Sequence, residues 1–207
     1  MLRILGRNNS SNVQKVTWLC EELSIPNERE DFGGAYANTK DSYYLSLNPN
    51  SRVPTIMEDD FTLWESNAIV RYLCSKHSAG VMAPADPRAH ADADRWMDWQ
   101  QTTVLAPITV IFWGLVRTPE ADRDLAAIEA ARDSMIPIWN ILDERLTGRD
   151  YIMGDTLTMA DIANAINCYR WMTLIQDRPS MPGLEAWYDR IAARPAFKQH
   201  VLDIPLT

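Results

Sequence analysis

The sequence has few cysteines, few histidines and fewer cations than anions. Its three cysteines are widely spaced and odd in number, so we expect reduced thiols and a cytoplasmic location rather than a disulfide framework. Its three histidines lack the spacing of metal ligands, so we expect no metal site. The 20 lysines and arginines are outnumbered by 28 aspartates and glutamates, a net charge of −8. This charge argues against nucleic acid or an anionic membrane as the main partner.

Long apolar runs are also missing. No stretch reaches about 18 consecutive apolar residues, so we expect no transmembrane helix. The N-terminus lacks a signal-peptide pattern, because polar residues begin at position 7. The sequence does contain enough apolar side chains to bury a core, 46 % of 207 residues, with eight tryptophans. Its length fits one compact unit or two modest ones packed together.

The hydrophobic pattern of the first 78 residues alternates between strand and helix. A hairpin then follows, where two short apolar runs flank an acidic turn. The predicted elements are a strand over 2–6, a helix over 13–23, a strand over 27–32, a loop with a short helix over 33–48, hairpin strands over 53–57 and 61–64, and a helix over 66–77. This order implies an α/β domain, a mixed sheet covered by helices, over residues 1–78.

Residues 88–207 predict helices only, after a proline-containing linker over 80–87. Apolar stripes at three- and four-residue steps predict these helices, and Pro107 should kink the first of them. They cover 90–113, 121–147, 158–174 and 183–193, and a last short helix follows. We therefore expect an all-α domain over 88–207.

Four small polar residues fill the predicted turn between the first strand and the first helix, namely Asn8, Asn9, Ser10 and Ser11. One serine there would be an ordinary helix cap. A cap needs one residue, however, and ligands bind at this edge of open α/β sheets. A hydroxyl beside a helix N-terminus can donate a hydrogen bond to a thiolate and lower the pKa of that thiol.

Two further segments combine a structural interpretation with a binding one. In "NPNSRVPTI", Pro54 either opens an edge strand or forms a cis bond that exposes the backbone of Val53 to a ligand. In "LWESNAIVRYL", Ser66 is either an ordinary cap or part of a binding site with Glu65. In the second case the hydroxyl and free N–H groups would bind the carboxylate of an amino acid, and Glu65 would bind its ammonium group.

In this order, these segments resemble the glutathione-binding, thioredoxin-like domain of bacterial, serine-type cytosolic glutathione S-transferases. "YIMGDTLTMAD", over 151–161, is similar to a segment of the family's helical domain. Thr158 and Asp161 in it form a predicted capping box, to which we assign a structural role. The resemblance covers nearly the whole chain. It implies a thioredoxin-like domain over 1–78, an all-helical domain over 88–207 that forms the electrophile pocket, and a homodimer.

The resemblance also implies roles for individual residues. Ser10 occupies the position of the hydroxyl that activates the thiol of glutathione, and the following Lys15-Val16 pair favours it over Ser11. Asn8 or Asn9 could share that role. The turn contains neither a tyrosine nor a cysteine, unlike that of the tyrosine-type and cysteine-type members.

The remaining implied positions surround the thiol and the second substrate. The resemblance implies that the backbone of Val53, followed by a cis Pro54, binds the cysteinyl part of glutathione. It implies that Glu65 and Ser66 bind the γ-glutamyl end, and that Lys40 and Arg52 bind the glycyl carboxylate. The electrophile pocket is expected between the domains, with Trp113, Arg117 and Trp171 as its candidate residues. Each tryptophan could equally be a core residue.

The implied activity is that of a glutathione transferase acting on electrophilic carbon or peroxide, with glutathione as co-substrate and no metal. Two alternatives remain open from the residues. One is a glutathione-dependent isomerase or dehalogenase with a single metabolic substrate. The other is a non-catalytic binding module with the same fold.

Overall fold

The computed structural model describes residues 1–207 and divides into two compact units. The first unit comprises Met1–Ala79 together with Pro195–Pro205. The second comprises Gly80–Arg194 together with Leu206–Thr207. The α/β and all-α character of the two parts is as predicted. Within the predicted second domain, 88–207, the segment Pro195–Pro205 groups with the first unit.

A four-stranded mixed sheet forms the centre of the first unit. Its strands are β1 (Leu2–Leu5), β2 (Asn27–Glu30), β3 (Thr55–Glu58) and β4 (Phe61–Trp64). Their order is β2-β1-β3-β4, with β1 parallel to β2 and antiparallel to β3, and with β3 and β4 forming the predicted hairpin. The parallel pair needs a crossover, which the first helix supplies.

Three helices belong to the first part of this unit, namely α1 (Ser11–Glu22), α2 (Ser42–Leu47) and α3 (Ser66–His77). The bounds of α3 are those predicted. In α1, every residue from Val13 to Cys20 is buried, rather than one apolar face. The reason is that α1 contacts β1, α3 and the C-terminal segment of the chain, so several of its sides are covered.

The C-terminal segment consists of α9 (Pro195–Phe197) and a π-helical turn over Lys198–Leu202. Phe197 and Val201 are buried, and both parts of the segment contact α1. The His200 imidazole lies 3.7 Å from the Glu21 carboxylate on α1. The first unit therefore includes residues from both ends of the chain.

The second unit contains only helices. They are α4 (Pro87–Trp99), α5 (Leu105–Phe112), α6 (Leu125–Leu146), α7 (Met159–Leu174) and α8 (Pro182–Ala192). A π-helical turn over Gln100–Val104 joins α4 to α5 just before Pro107. Pro107 has no N–H to donate to the carbonyl of Thr103, so the regular α-helical ladder is interrupted there. The π-helical turn lies where the sequence predicted a break in helix regularity at Pro107.

The predicted capping box is present at the start of α7, but Asp161 does more than cap the helix. Its buried carboxylate accepts hydrogen bonds from the N–H groups of Thr158 at 2.8 Å and Ile152 at 2.9 Å, and from Nε1 of Trp187 at 2.9 Å. Burial raises the pKa of this carboxyl, while the hydrogen bonds act in the opposite direction. Asp161 therefore joins α7, α8 and the loop before α7.

Candidate active site

Ser10 is the N-cap of α1, with φ −84° and ψ 122°. Its carbonyl accepts the Gln14 N–H at 2.8 Å, but its side chain forms no hydrogen bond to the amides of the helix. The residue is 8 % exposed. The hydroxyl is therefore a donor at a helix N-terminus that the helix itself does not use, next to first-turn N–H groups with partial positive charge.

The other three polar residues of this turn have different surroundings. Asn8 is exposed, Asn9 is half-buried, and Ser11 is half-buried as the first residue of α1. Ser10 is the most buried of the four. The family resemblance favoured Ser10 over Ser11 by one residue, and burial distinguishes Ser10 further from its neighbours.

Gly6 brings three segments of the first unit together. A Cβ atom at this position would lie 2.4 Å from Cγ2 of Val13 on α1 and 3.2 Å from Cβ of Val53. Only a residue without a side chain allows such a close approach. The end of β1, the start of α1 and the segment around Val53 therefore meet at this glycine.

The Val53–Pro54 peptide bond is cis, as the resemblance implied. A buried polar network supports the loop before it. Tyr44 Oη donates to the Arg52 carbonyl at 2.6 Å and Asn48 Nδ2 donates to the same oxygen at 2.8 Å. Both side chains also bond the Thr55 hydroxyl, at 3.0 and 3.1 Å. Tyr44, Asn48 and Thr55 were not predicted as site residues, because their only signal in the sequence is their proximity to the "NPNSRVPTI" segment.

Glu65 and Ser66 lie next to the cis peptide bond because of the hairpin register. Thr55 pairs with Trp64, so the residues just outside this pair, Pro54 and Glu65, are neighbours. Glu65 is exposed with φ +74° and ψ 111°, and Ser66 is the buried first residue of α3. A positive φ at a residue other than glycine is unfavourable by about 1–3 kcal/mol and is concentrated at functional sites. The register therefore brings Glu65 and Ser66, the two predicted γ-glutamyl ligands, beside the cis peptide bond.

Lys40 and Arg52 are exposed and lie outside the regular elements. Their loops are joined, because the Ser51 hydroxyl donates to the Thr39 carbonyl at 2.9 Å. Lys40 directly follows Thr39 and Arg52 directly follows Ser51, so this hydrogen bond ties together the segments that carry the two cations. Two cations on joined loops suit an anionic group, and both residues stay candidates for binding the glycyl carboxylate.

The three candidates for the electrophile pocket belong to the second unit and have different surroundings. Trp113 is 53 % exposed, and the Arg117 guanidinium lies 4.9 Å from the centre of its ring. Arg117 also donates to the Thr207 carbonyl at 2.9 Å. Trp171 is fully buried, so it lies in the core of the second unit and not, as the resemblance implied, on a surface open to a substrate. Its helical spacing did not reveal whether it faced the core or a pocket.

The three cysteines are free and buried. Burial raises the pKa of Cys20 and of Cys74 to about 12, and raises that of Cys168 well above its usual value. The thiolate is the nucleophilic form of cysteine, so these side chains are poor nucleophiles at neutral pH. No group of three or more histidine, cysteine or acidic residues is placed to hold a metal ion. No helix is long and apolar enough to span a membrane.

Comparison with known proteins identifies the family. Residues 9–76 match the glutathione S-transferase N-terminal domain, and residues 104–195 match the glutathione S-transferase C-terminal domain. The chain is 37 % identical to glutathione S-transferase GstB of Escherichia coli K12, over 100 % of both chains. It is 30 % identical to glutathione S-transferase F13 of Arabidopsis thaliana, over 95 % of this chain and 93 % of that one.

A solved structure of a glutathione S-transferase also matches this chain over its full length. The theta class glutathione S-transferase from the citrus canker pathogen Xanthomonas axonopodis pv. citri, crystallised with glutathione bound, superposes with a TM-score of 0.94. The two chains are 40 % identical, over 100 % of this chain and 99 % of that one. With two matched domains and full-length relatives above 30 % identity, this chain belongs to the glutathione S-transferase family of enzymes.

Proposed function

We propose that this protein binds glutathione in its first unit, that the Ser10 hydroxyl stabilises the bound thiolate, and that the thiolate attacks an electrophilic carbon or a peroxide. The observation that carries the proposal is the Ser10 hydroxyl, which makes no hydrogen bond to the helix it caps. Support comes from the Xanthomonas relative, whose structure has glutathione bound.

The energy required is within reach of one hydroxyl. A free cysteine thiol has a pKa near 8.5, and each unit of depression corresponds to about 1.4 kcal/mol of preferential stabilisation of the thiolate. A hydrogen bond to a charged group contributes about 1.5–3 kcal/mol, and the N-terminus of α1 adds to it. One or two units of depression would make the thiolate the main form near neutral pH. Catalysis then consists of thiolate generation and positioning.

The rest of glutathione would bind to the neighbouring segments of the first unit. The backbone of Val53 would pair with the cysteinyl residue. Glu65 would bind the ammonium of the γ-glutamyl end, and Ser66 with the first N–H groups of α3 would bind its carboxylate. Lys40 and Arg52 would bind the glycyl carboxylate.

Trp113 and Arg117 are the proposed contacts of the electrophile, because one offers an exposed aromatic face and the other a cation beside it. We further propose a homodimer, a detoxification role and a cytoplasmic location; the last rests on three free thiols. Light scattering tests the homodimer, and growth of a deletion strain on electrophiles tests the detoxification role. Cell fractionation tests the location.

The experiment has two arms, binding and turnover. Calorimetric titration with glutathione should show saturable binding, and a panel of haloaromatics, hydroperoxides and cis-dienone acids should show glutathione-dependent turnover. Absence of binding would refute the proposal. Binding without turnover of any member would favour a non-catalytic module, and turnover of one member alone would favour the isomerase or dehalogenase.

A further inference from the structure

An ion pair at the end of β2 reaches the end of β1, where the turn that carries Ser10 begins. The Arg29 guanidinium donates to the Gly6 carbonyl at 2.9 Å and also to the Asp31 carboxylate. A planar guanidinium presents its donors in a fixed fork, so one group can hold a carbonyl and a carboxylate at once. Asp31 therefore fixes the orientation in which Arg29 reaches Gly6.

Gly6 is the residue through which this ion pair reaches the proposed site. Its N–H group donates to the Glu30 carbonyl at 2.8 Å, so the peptide units on both sides of Gly6 are bound to the end of β2. A Cβ atom at Gly6 would lie 2.4 Å from Val13 and 3.2 Å from Val53. A displaced Gly6 would therefore disturb the first turns of α1 and the proposed contact of the cysteinyl residue together.

The backbone after Asp31 leads to Ser10 by a second route. The Phe32 carbonyl accepts the Arg7 N–H at 2.9 Å. The Arg7 carbonyl in turn accepts the Ser10 N–H at 3.3 Å. The turn that presents the proposed thiolate donor is thus hydrogen-bonded to the segment that follows the ion pair.

This segment also borders Val53. Gly33 is buried, and a Cβ atom there would lie 3.2 Å from Cγ1 of Val53. The Asn38 side chain holds the segment closed, because it donates to the Asp31 carbonyl at 3.1 Å and accepts the Gly33 N–H at 3.0 Å. The residues around Asp31 therefore pack against both parts of the proposed cysteinyl and thiol site.

We propose that Arg29, oriented by Asp31, is a positioning residue for the glutathione site. Its guanidinium fixes the Gly6 carbonyl, and the position of Gly6 sets those of Ser10 and Val53. The inference rests on the proposed function, because it concerns the same ligand. Arg29 acts through the backbone and not as a cation that binds glutathione, since its charge is already paired with Asp31.

Four variants test the role of this ion pair. Arg29→Met removes the guanidinium and keeps an unbranched side chain, whereas Asp31→Asn removes only the charge that orients it. The double variant measures whether the two residues act as one unit. Arg3→Met is the matched control, because Arg3 forms an ion pair with Glu30 on the same two strands and lies outside the proposed site.

The readouts are the calorimetric affinity for glutathione and the pH dependence of kcat/KM for the electrophile at saturating glutathione. We expect Arg29→Met to weaken glutathione binding by about fivefold and to raise the kinetic pKa of the bound thiol by about half a unit, because both depend on precise placement. Asp31→Asn should have a smaller effect of the same kind. The double variant should resemble Arg29→Met, and Arg3→Met should change neither quantity.

The outcomes separate a positioning role from a merely structural one. A lower melting temperature with unchanged affinity and pH profile in Arg29→Met would overturn the inference while the proposed function stands. Effects of Arg29→Met and Asp31→Asn that add fully in the double variant would also overturn it, because the two residues would then act separately. Equal loss of affinity in Arg3→Met would show a general effect of the strand pair, with the same consequence.

Two further outcomes keep the test decisive. Should Arg29→Met fail to fold, Asp31→Asn decides alone, because it replaces an exposed side chain. Absence of glutathione binding by the wild-type protein would refute the proposed function itself.

Discussion

Phe197 packs edge-on against Trp18, with ring centroids 4.8 Å apart and the rings inclined by 76°. Both side chains are fully buried. Trp18 lies on α1 and Phe197 on the last α-helix of the chain, so the C-terminal segment completes the core around the first helix. The first unit therefore depends on residues from the far end of the sequence.

Replacing Phe197 should test this dependence. We expect Phe197→Ala to lower the free energy of unfolding by about 3–5 kcal/mol, because the removed ring leaves a cavity against Trp18. Urea unfolding measures the change. Leu125→Ala, at an exposed position, should change it by less than about 0.5 kcal/mol. If Phe197→Ala lowers the free energy of unfolding by less than about 1 kcal/mol, the C-terminal segment contributes little to the stability of the first unit.

Ser10→Ala should raise the kinetic pKa of bound glutathione by about one to two units. In the proposed mechanism the hydroxyl donates to the charged form of the thiol, so its removal should favour the protonated form. The pH dependence of kcat/KM for the electrophile, measured at saturating glutathione, reports this shift, and Ser11→Ala is the matched control. If Ser10→Ala leaves the profile unchanged, the same measurement on Ser11→Ala, Asn8→Ala and Asn9→Ala identifies the donor.

Gly6→Ala should disturb both stability and the site. The new methyl group would overlap Val13 and press on Val53, so we expect a loss of about 1–3 kcal/mol and weaker glutathione binding. Gly148→Ala is the control. That glycine has φ +71° and open space around its Cβ position, so a loss of about 1 kcal/mol with unchanged affinity is expected. Equal affinity in both variants would contradict a role for Gly6 in the site.

Tyr44→Phe should weaken glutathione binding without removing it. The change deletes one of two hydrogen bonds to the Arg52 carbonyl, so the loop before Val53 is held less firmly. We expect a loss of stability of about 0.5–1.5 kcal/mol and a higher KM for glutathione. Tyr43→Phe, at the exposed neighbouring position, should leave both quantities unchanged. An unaltered KM in Tyr44→Phe would show that Asn48 alone suffices.

Asp161→Ala should destabilise the second unit strongly. It leaves the Thr158, Ile152 and Trp187 donors without their acceptor in a buried environment, and each unsatisfied group is unfavourable by about 1–3 kcal/mol. Thermal unfolding should show the loss, and Asp155→Ala in the same segment, where the side chain is exposed, should show almost none. Similar melting temperatures for the two variants would contradict the structural role of Asp161.

Local patterns in the sequence determined much of this protein. The limits of α3, the hairpin, the capping box of Thr158 and Asp161 and the interruption near Pro107 all depend on residues close together in the chain. Periodicity, caps and turn residues carry that information directly. The motifs around Ser10, Val53 and Glu65 were recognisable for the same reason, since each is a contiguous segment.

The tertiary structure alone decided which element covers which face. Helical spacing could not tell whether Trp113 and Trp171 face the core or a pocket. In the structure Trp113 is exposed, whereas Trp171 lies in the core. The contact between Lys15 and Asn67 joins residues 52 positions apart, and the C-terminal segment joins the first unit rather than the second. A pattern along one helix shows that a face is apolar, but only packing determines what covers that face, because burial depends on partners that are distant in sequence.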